Sequence, residues 1–168
     1  DLDIIQDMAA SNLIRVAISI TGKDEKVRRL LEPRTSAFSA RLKAVEKLAT
    51  AGVPVHVMVA PIIPSINDYK ILDLVKSISN AGATSVGYTT VRLNGAVAEV
   101  FEDWIRKSLP DRDDKGLNQI RARHDGKLSD NQFGRRMRGA GVWADNIASQ
   151  FKIGRQKYLG QKEMPPYN

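Results

Sequence analysis

Two dipeptides thirty positions apart constrain this chain more than any other feature. Ala51-Gly52 and Ala81-Gly82 each close a stretch of helical periodicity, and each is followed at once by a β-branched run. Glycine just past the last periodic residue is a helix stop, because only glycine adopts the left-handed conformation there without steric cost. One helix plus one strand per thirty residues is the period of a chain of βα units. Such units pair their strands in parallel.

The runs between the stops complete the pattern. Leu2, Ile5, Met8 and Ala9 follow helical spacing, with Asn12 as a stop. Leu13 to Ile20 is apolar on both faces and of strand length, as suits a buried parallel sheet. A short helix ends near Leu31, before Pro33. Ser36 is placed to cap a helix with Phe38, Leu42, Val45, Leu48 and Ala49 on one stripe. Val53 to Ala60 reads as a second strand and Thr84 to Leu93 as a third. Between them Asn67 or Asp68 starts a helix with Ile71, Leu74, Val75 and Ile78 on one face. From Asn94 a further stripe runs through Val97, Val100, Phe101, Trp104 and Ile105. Three strands are too few to close a barrel. Residues 111–124 suggest a polar helix, Asp125-Gly126 a turn, and 133–141 a glycine–arginine loop. Trp143, Ile147, Phe151, Tyr158 and Leu159 mark a last amphipathic helix, and Met164 to Asn168 reads as a loose end. The predicted division is 1–109, the αβ part, and 110–168, a helical basic extension packed on it.

Composition narrows the chemistry. The 168 residues are 42% hydrophobic and 27% charged, in keeping with a packed protein rather than a disordered one. No apolar run approaches the roughly 20 residues of a membrane span, and the expected location is cytoplasmic with no membrane partner. Cysteine is absent, which excludes a disulfide scaffold, a thiolate zinc site, a cysteine nucleophile and a cysteine-held iron–sulfur cluster within these residues. The two histidines, His56 and His124, are too far apart to suggest a metal cluster. Residues 121–168 hold 10 Lys+Arg against 4 Asp+Glu, so nearly all of the net charge of +7 lies there. A basic segment of this kind suits a phosphate-bearing partner, or simply a solvated surface.

Chemistry in parallel αβ folds gathers at the C-terminal ends of the strands. Ser19 and Thr21 end the first strand, where hydroxyls could bond a ribose or only local backbone. Ala60, Pro61 and Ile62 open a proline-stiffened apolar loop, either a flat wall for an aromatic ring or loop rigidity alone. Tyr88, Thr90 and Arg92 alternate on the third strand, and Arg92 facing a cavity would bind an anion. Glu32, Arg34 and Arg41 offer an ion-pair group. Arg135, Arg136 and Arg138, set among glycines with Phe133 and Trp143 nearby, could meet phosphates and stack on bases. No Walker motif, dinucleotide fingerprint or serine elbow is present.

In combination these residues carry a resemblance. Val16-Ala17-Ile18-Ser19-Ile20-Thr21, Glu32-Pro33-Arg34, Arg41-Leu42, Ala51-Gly52-Val53-Pro54-Val55 and Ala60-Pro61-Ile62-Ile63-Pro64 resemble the radical S-adenosylmethionine superfamily. The branch they are most similar to is that of spore photoproduct lyase-related proteins labelled DNA repair photolyase. The loop from Pro61 to Asp68, Arg92-Leu93 and Phe133 to Gly139 look like the same branch. The resemblance covers about 13 to 150 and is specific only in combination.

The resemblance implies the second half of a partial (β/α)6 TIM-like barrel. It implies S-adenosylmethionine as cofactor and a 4Fe–4S cluster held by a CxxxCxxC triplet in a longer parent. The expected chemistry is lyase or repair chemistry on a nucleic acid such as DNA. On that reading Ser19 and Thr21 contact the ribose, Ala60, Pro61 and Ile62 the adenine, and Tyr88 and Thr90 line the pocket. Arg92, Arg135, Arg136 and Arg138 would face the nucleic acid, and Glu32, Arg34 and Arg41 would form ion pairs near the pocket. The lack of cysteine departs from the family, so the fragment is expected to be inactive alone. It would then have a bare strand edge near Leu13, awaiting the missing N-terminal half or a second copy. Two other readings stay open. One is a non-catalytic nucleic-acid-binding module using the basic tail. The other is a barrel enzyme of a different kind, for which only Lys23 lies near a strand end.

Overall fold

A computed structural model describes residues 1–93, 95–110, 141–160 and 162–168. The expected polar helix, turn and glycine–arginine loop, with Arg135, Arg136 and Arg138, lie outside the described residues. Among the described residues three strands form one parallel sheet: β1 (Val16–Ile20), β2 (Val55–Ile62) and β3 (Ser85–Thr90), in the order β1-β2-β3. Around them lie α1 (Leu2–Ala10), α2 (Glu25–Leu31), α3 (Phe38–Thr50), α4 (Ile71–Asn80), α5 (Ala96–Ser108) and α6 (Val142–Gly154). A π-helical turn, Arg155–Leu159, continues α6. None of these helices is long and apolar enough to cross a membrane.

The glycine stops act as expected. Gly52 and Gly82 have φ of +77° and +91°, and a Cβ on Gly82 would lie 2.6 Å from that of Ala49. The second stop is therefore also a point of close helix–helix approach.

Register divides the sheet into two unlike faces. Ile18 pairs with Val57 and Val57 with Val86; Ile20 pairs with Val59 and Val59 with Tyr88. Ile20, Val55, Val57, Val59 and Val86 join the main core with Val45 of α3, Leu74, Val75 and Ile78 of α4, and Ile147 and Phe151 of α6. The other face carries Ala17 and Ser19, both exposed, and His56, Met58, Ala60 and Gly87, all half-buried. Among the described residues, one face of this wholly parallel sheet is thus packed and the other largely bare. A smaller core of Val27, Ile63, Ile66 and Ile105 lies beyond the C-terminal ends of the strands, with Phe101 and Trp104 against it.

Several expectations are corrected. Ser36 does not cap α3, whose N-cap is Ala37 without a side-chain bond. Glu25 takes that role from α2, its Oε1 accepting the Phe38 N–H at 2.7 Å. Neither Asn67 nor Asp68 starts α4, which begins after Lys70. Their side chains are used elsewhere, Asp68 accepting the Trp143 indole N–H at 2.7 Å and so docking the start of α6. Strand β2 runs through Pro61 to Ile62, two residues further than expected, with a cis Ala60–Pro61 bond and a register shift after Val59. The α5 stripe is split: Ile105 is buried, while Val97 and Val100 are 56% and 68% exposed. The C-terminal residues are not loose. Asn168 Nδ2 donates to Ser11 O at 2.8 Å, Arg15 donates to Pro165 O, and the Arg15 guanidinium lies 3.9 Å from the Tyr167 ring centre.

Candidate functional site

At the C-terminal end of β1, side chains from α2, the turn after it and α3 converge. Arg41 of α3 donates through Nη1 to Ser19 O at 2.8 Å, through Nη2 to Glu32 Oε2 at 2.7 Å, and through Nε to Ser36 O at 3.1 Å. The Thr35 hydroxyl donates to the same Glu32 oxygen at 3.1 Å. Arg28, itself buried, donates to Glu25 at 2.8 Å and to Thr35 O at 2.7 Å. This network fixes the turn after α2 against the end of β1. Arg34, expected in the same group, is exposed.

The electrostatics of Glu32 follow from this geometry. Burial pushes its carboxyl up, but the nearby Thr21 hydroxyl, the hydrogen bonds from Arg41 and Thr35 and the charge of Arg41 outweigh burial and hold it below the ordinary 4.5. It is therefore a carboxylate at neutral pH. On the bare face lower in the sheet, His56 Nδ1 lies 2.7 Å from Ser85 Oγ, and burial lowers its pKa below 6.5. The sequence reading did not single out His56 as a site residue. Only the register, which sets it beside Ser85 and Gly87, distinguishes it.

The remaining residues separate by face. Ser19 is exposed on the bare face, and Ala60 lies farther along the same face of β2. Thr21 is buried at the end of β1. Ile62 is 1% exposed and turns its side chain into the core, leaving Ala60 and Pro61 as the apolar surface of that strand end. Tyr88 and Thr90 follow the packed face: Tyr88 stacks on Phe151 at 4.4 Å between ring centres, and Thr90 pairs with Ile62. The structure joins Ser19, Glu32 and Arg41 in one network, ties Thr21 to Pro61 through Asn67, with Ala60 next to Pro61, and sets the Tyr88 ring on the far side of the sheet. Arg92 lies past the end of β3 and is exposed. Lys23 is 3.3 Å from Asp73 and 3.2 Å from Ser77 Oγ, so its amine is engaged in an ion pair.

The same strand ends are where a family comparison falls. Residues 1–78 match the Radical SAM superfamily. Ser19, Thr21, Glu32, Arg41, Ala60 and Pro61 all lie within that span, whereas Tyr88, Thr90 and Arg92 lie beyond it. Uncharacterized proteins of Mycobacterium bovis and of two Mycobacterium tuberculosis strains are each 34% identical over 113 residues. That stretch is 66% of this chain and 33% of the relatives' own length, so the chain spans about a third of the curated relatives it matches. No solved structure matches the chain.

The superfamily implies two groups, and the residues present fit them unequally. An iron–sulfur cluster does not fit: the chain has no cysteine, and no cluster of His, Asp or Glu suited to a metal occurs among the described residues. A nucleoside-bearing cofactor fits better. The bare face offers the exposed hydroxyl of Ser19 and the small apolar surface of Ala60 and Pro61. Behind them lies a rigid network whose carboxylate, Glu32, is already ionised.

Proposed function

We propose that this chain is the adenosine-binding half of a radical S-adenosylmethionine enzyme, with the iron–sulfur cluster held by another part of the parent protein. The observation that carries the reading is the half-covered parallel sheet, two of whose three strands, β1 and β2, lie within the superfamily match. Wholly parallel sheets are ordinarily covered on both faces, and a barrel interior is what the bare face of this one would become if the preceding strands closed it. The outer edge of β1, with which no strand pairs among the described residues, is then the seam for those strands, or for a second copy of the chain. When bound, the cofactor supplies hydrogen-abstraction chemistry. Ser19 and Thr21 hold the ribose side, Ala60 and Pro61 the adenine side, and Arg41 and Glu32 keep the end of β1 in place.

Within this reading the substrate class is a nucleic acid, and the reaction is of the lyase or repair type. The resemblance of the chain to DNA repair photolyase-like proteins supports it, as does the excess of positive charge after residue 120. Arg135, Arg136 and Arg138 are the phosphate contacts, and the extension from 110 onward is their scaffold.

The test uses the parent protein purified without oxygen. It should contain iron, bind S-adenosylmethionine and cleave it under reduction; a parent with neither iron nor cleavage refutes the superfamily reading. Binding to DNA should weaken steeply with salt. Changing the three arginines to alanine should reduce the slope of log affinity against log salt by about 2–3. An unchanged slope removes them from the nucleic-acid surface.

A further inference from the structure

Where the sheet's backbone pairing stops, one side chain takes over. The β1–β2 ladder ends at the pair Ile20 and Val59. Beyond it the Asn67 amide nitrogen donates to Thr21 O at 2.8 Å and to Pro61 O at 2.9 Å, while its carbonyl accepts the Ile63 N–H at 2.6 Å. Pro61 brings no backbone donor to this end of the sheet, and Asn67 supplies two. The three bonds join the end of β1, the end of β2 and the loop after it, and both side-chain hydrogens and the carbonyl of the amide are engaged.

We infer that Asn67 is a positioning residue for the nucleoside site, setting the gap between the β1 end that carries Thr21 and the β2 end that carries Ala60 and Pro61. The inference rests on the functional reading above for the identity of the ligand. The tie itself rests on the three hydrogen bonds. Residue type follows from the geometry: two donors and one acceptor on one planar group are what an amide offers and what a carboxylate or hydroxyl does not. Asp at this position would set a negative oxygen against two carbonyl oxygens. Ser would be too short to reach both. Neither substitution touches the ligand, so the effect falls on how well the two walls of the site are spaced.

The experiment compares the parent protein with its Asn67→Asp and Asn67→Ser variants, using S-adenosylmethionine binding by calorimetry and amide hydrogen exchange. Both variants should bind roughly tenfold or more weakly. In turnover, KM for S-adenosylmethionine should rise with kcat within about threefold. In the Asn67→Ser variant exchange should quicken at Ile63, whose N–H loses the amide oxygen, while Val57 and Val86 keep their protection. Wild-type affinity in both variants overturns the proposal. So does loss of protection throughout the sheet, which would make Asn67 a general folding residue. If the wild-type parent binds no S-adenosylmethionine, the functional reading falls and the positioning role falls with it, while exchange still reports whether the tie exists.

Discussion

Glu32 sits where burial and hydrogen bonding oppose each other, and its donors prevail. Because its folded pKa lies below 4.5, it contributes stability above that value and loses it as pH falls through the folded value. Glu32→Gln should cost about 1–2 kcal/mol at pH 7, with the difference closing as pH falls below 4.5 and through the depressed folded value in urea titrations. His56 follows the same sign for a different reason: burial disfavours its imidazolium. Its stabilising neutral form is present above 6.5 and is lost as pH falls through the depressed value, so NMR titration of its ring protons should show a midpoint below 6.5. The sequence offered no signal for His56, since strand register is needed to set it beside Ser85. Asn67 was visible but misread. Asparagine is favoured both at helix caps and in backbone-bridging loops, and only tertiary geometry separates the two uses.

The helices and strands were legible because their periodicity is local. The α4 stripe of Ile71, Leu74, Val75 and Ile78 is buried at every position. The start of α3 was not legible, because its cap comes from Glu25, thirteen residues away. The two glycine stops allow a comparison at this scale. Gly52→Ala meets open space and should cost about 1 kcal/mol, from the left-handed backbone alone. Gly82→Ala adds a contact with Ala49 too close for real side chains and should cost about 2–4 kcal/mol. Chemical denaturation would rank them. Equal losses would show that α3 and α4 separate freely at this point.

Across the whole molecule, the packed face of the sheet depends on a helix that follows β3 by about fifty residues. Phe151 is fully buried and stacks on Tyr88, so Phe151→Ala should cost about 3–5 kcal/mol in urea titrations. A loss below about 1 kcal/mol would mean that α6 contributes little to the sheet. The sequence made α6 visible as an amphipathic helix but not its place, because nothing local says that Trp143 meets Asp68 or that Gly154 lies against Val75. The contacts of Pro165 and Asn168 with Arg15 and Ser11 were invisible for the same reason. They have a consequence for the order of events during synthesis. Arg15 precedes its partner Pro165 by 150 residues. At about 5–20 residues per second the ribosome needs roughly 8–30 s to make that stretch. For that interval Arg15 has neither the carbonyl nor the ring that later holds it, although the strand that follows it meets its ladder partner much earlier, in β2.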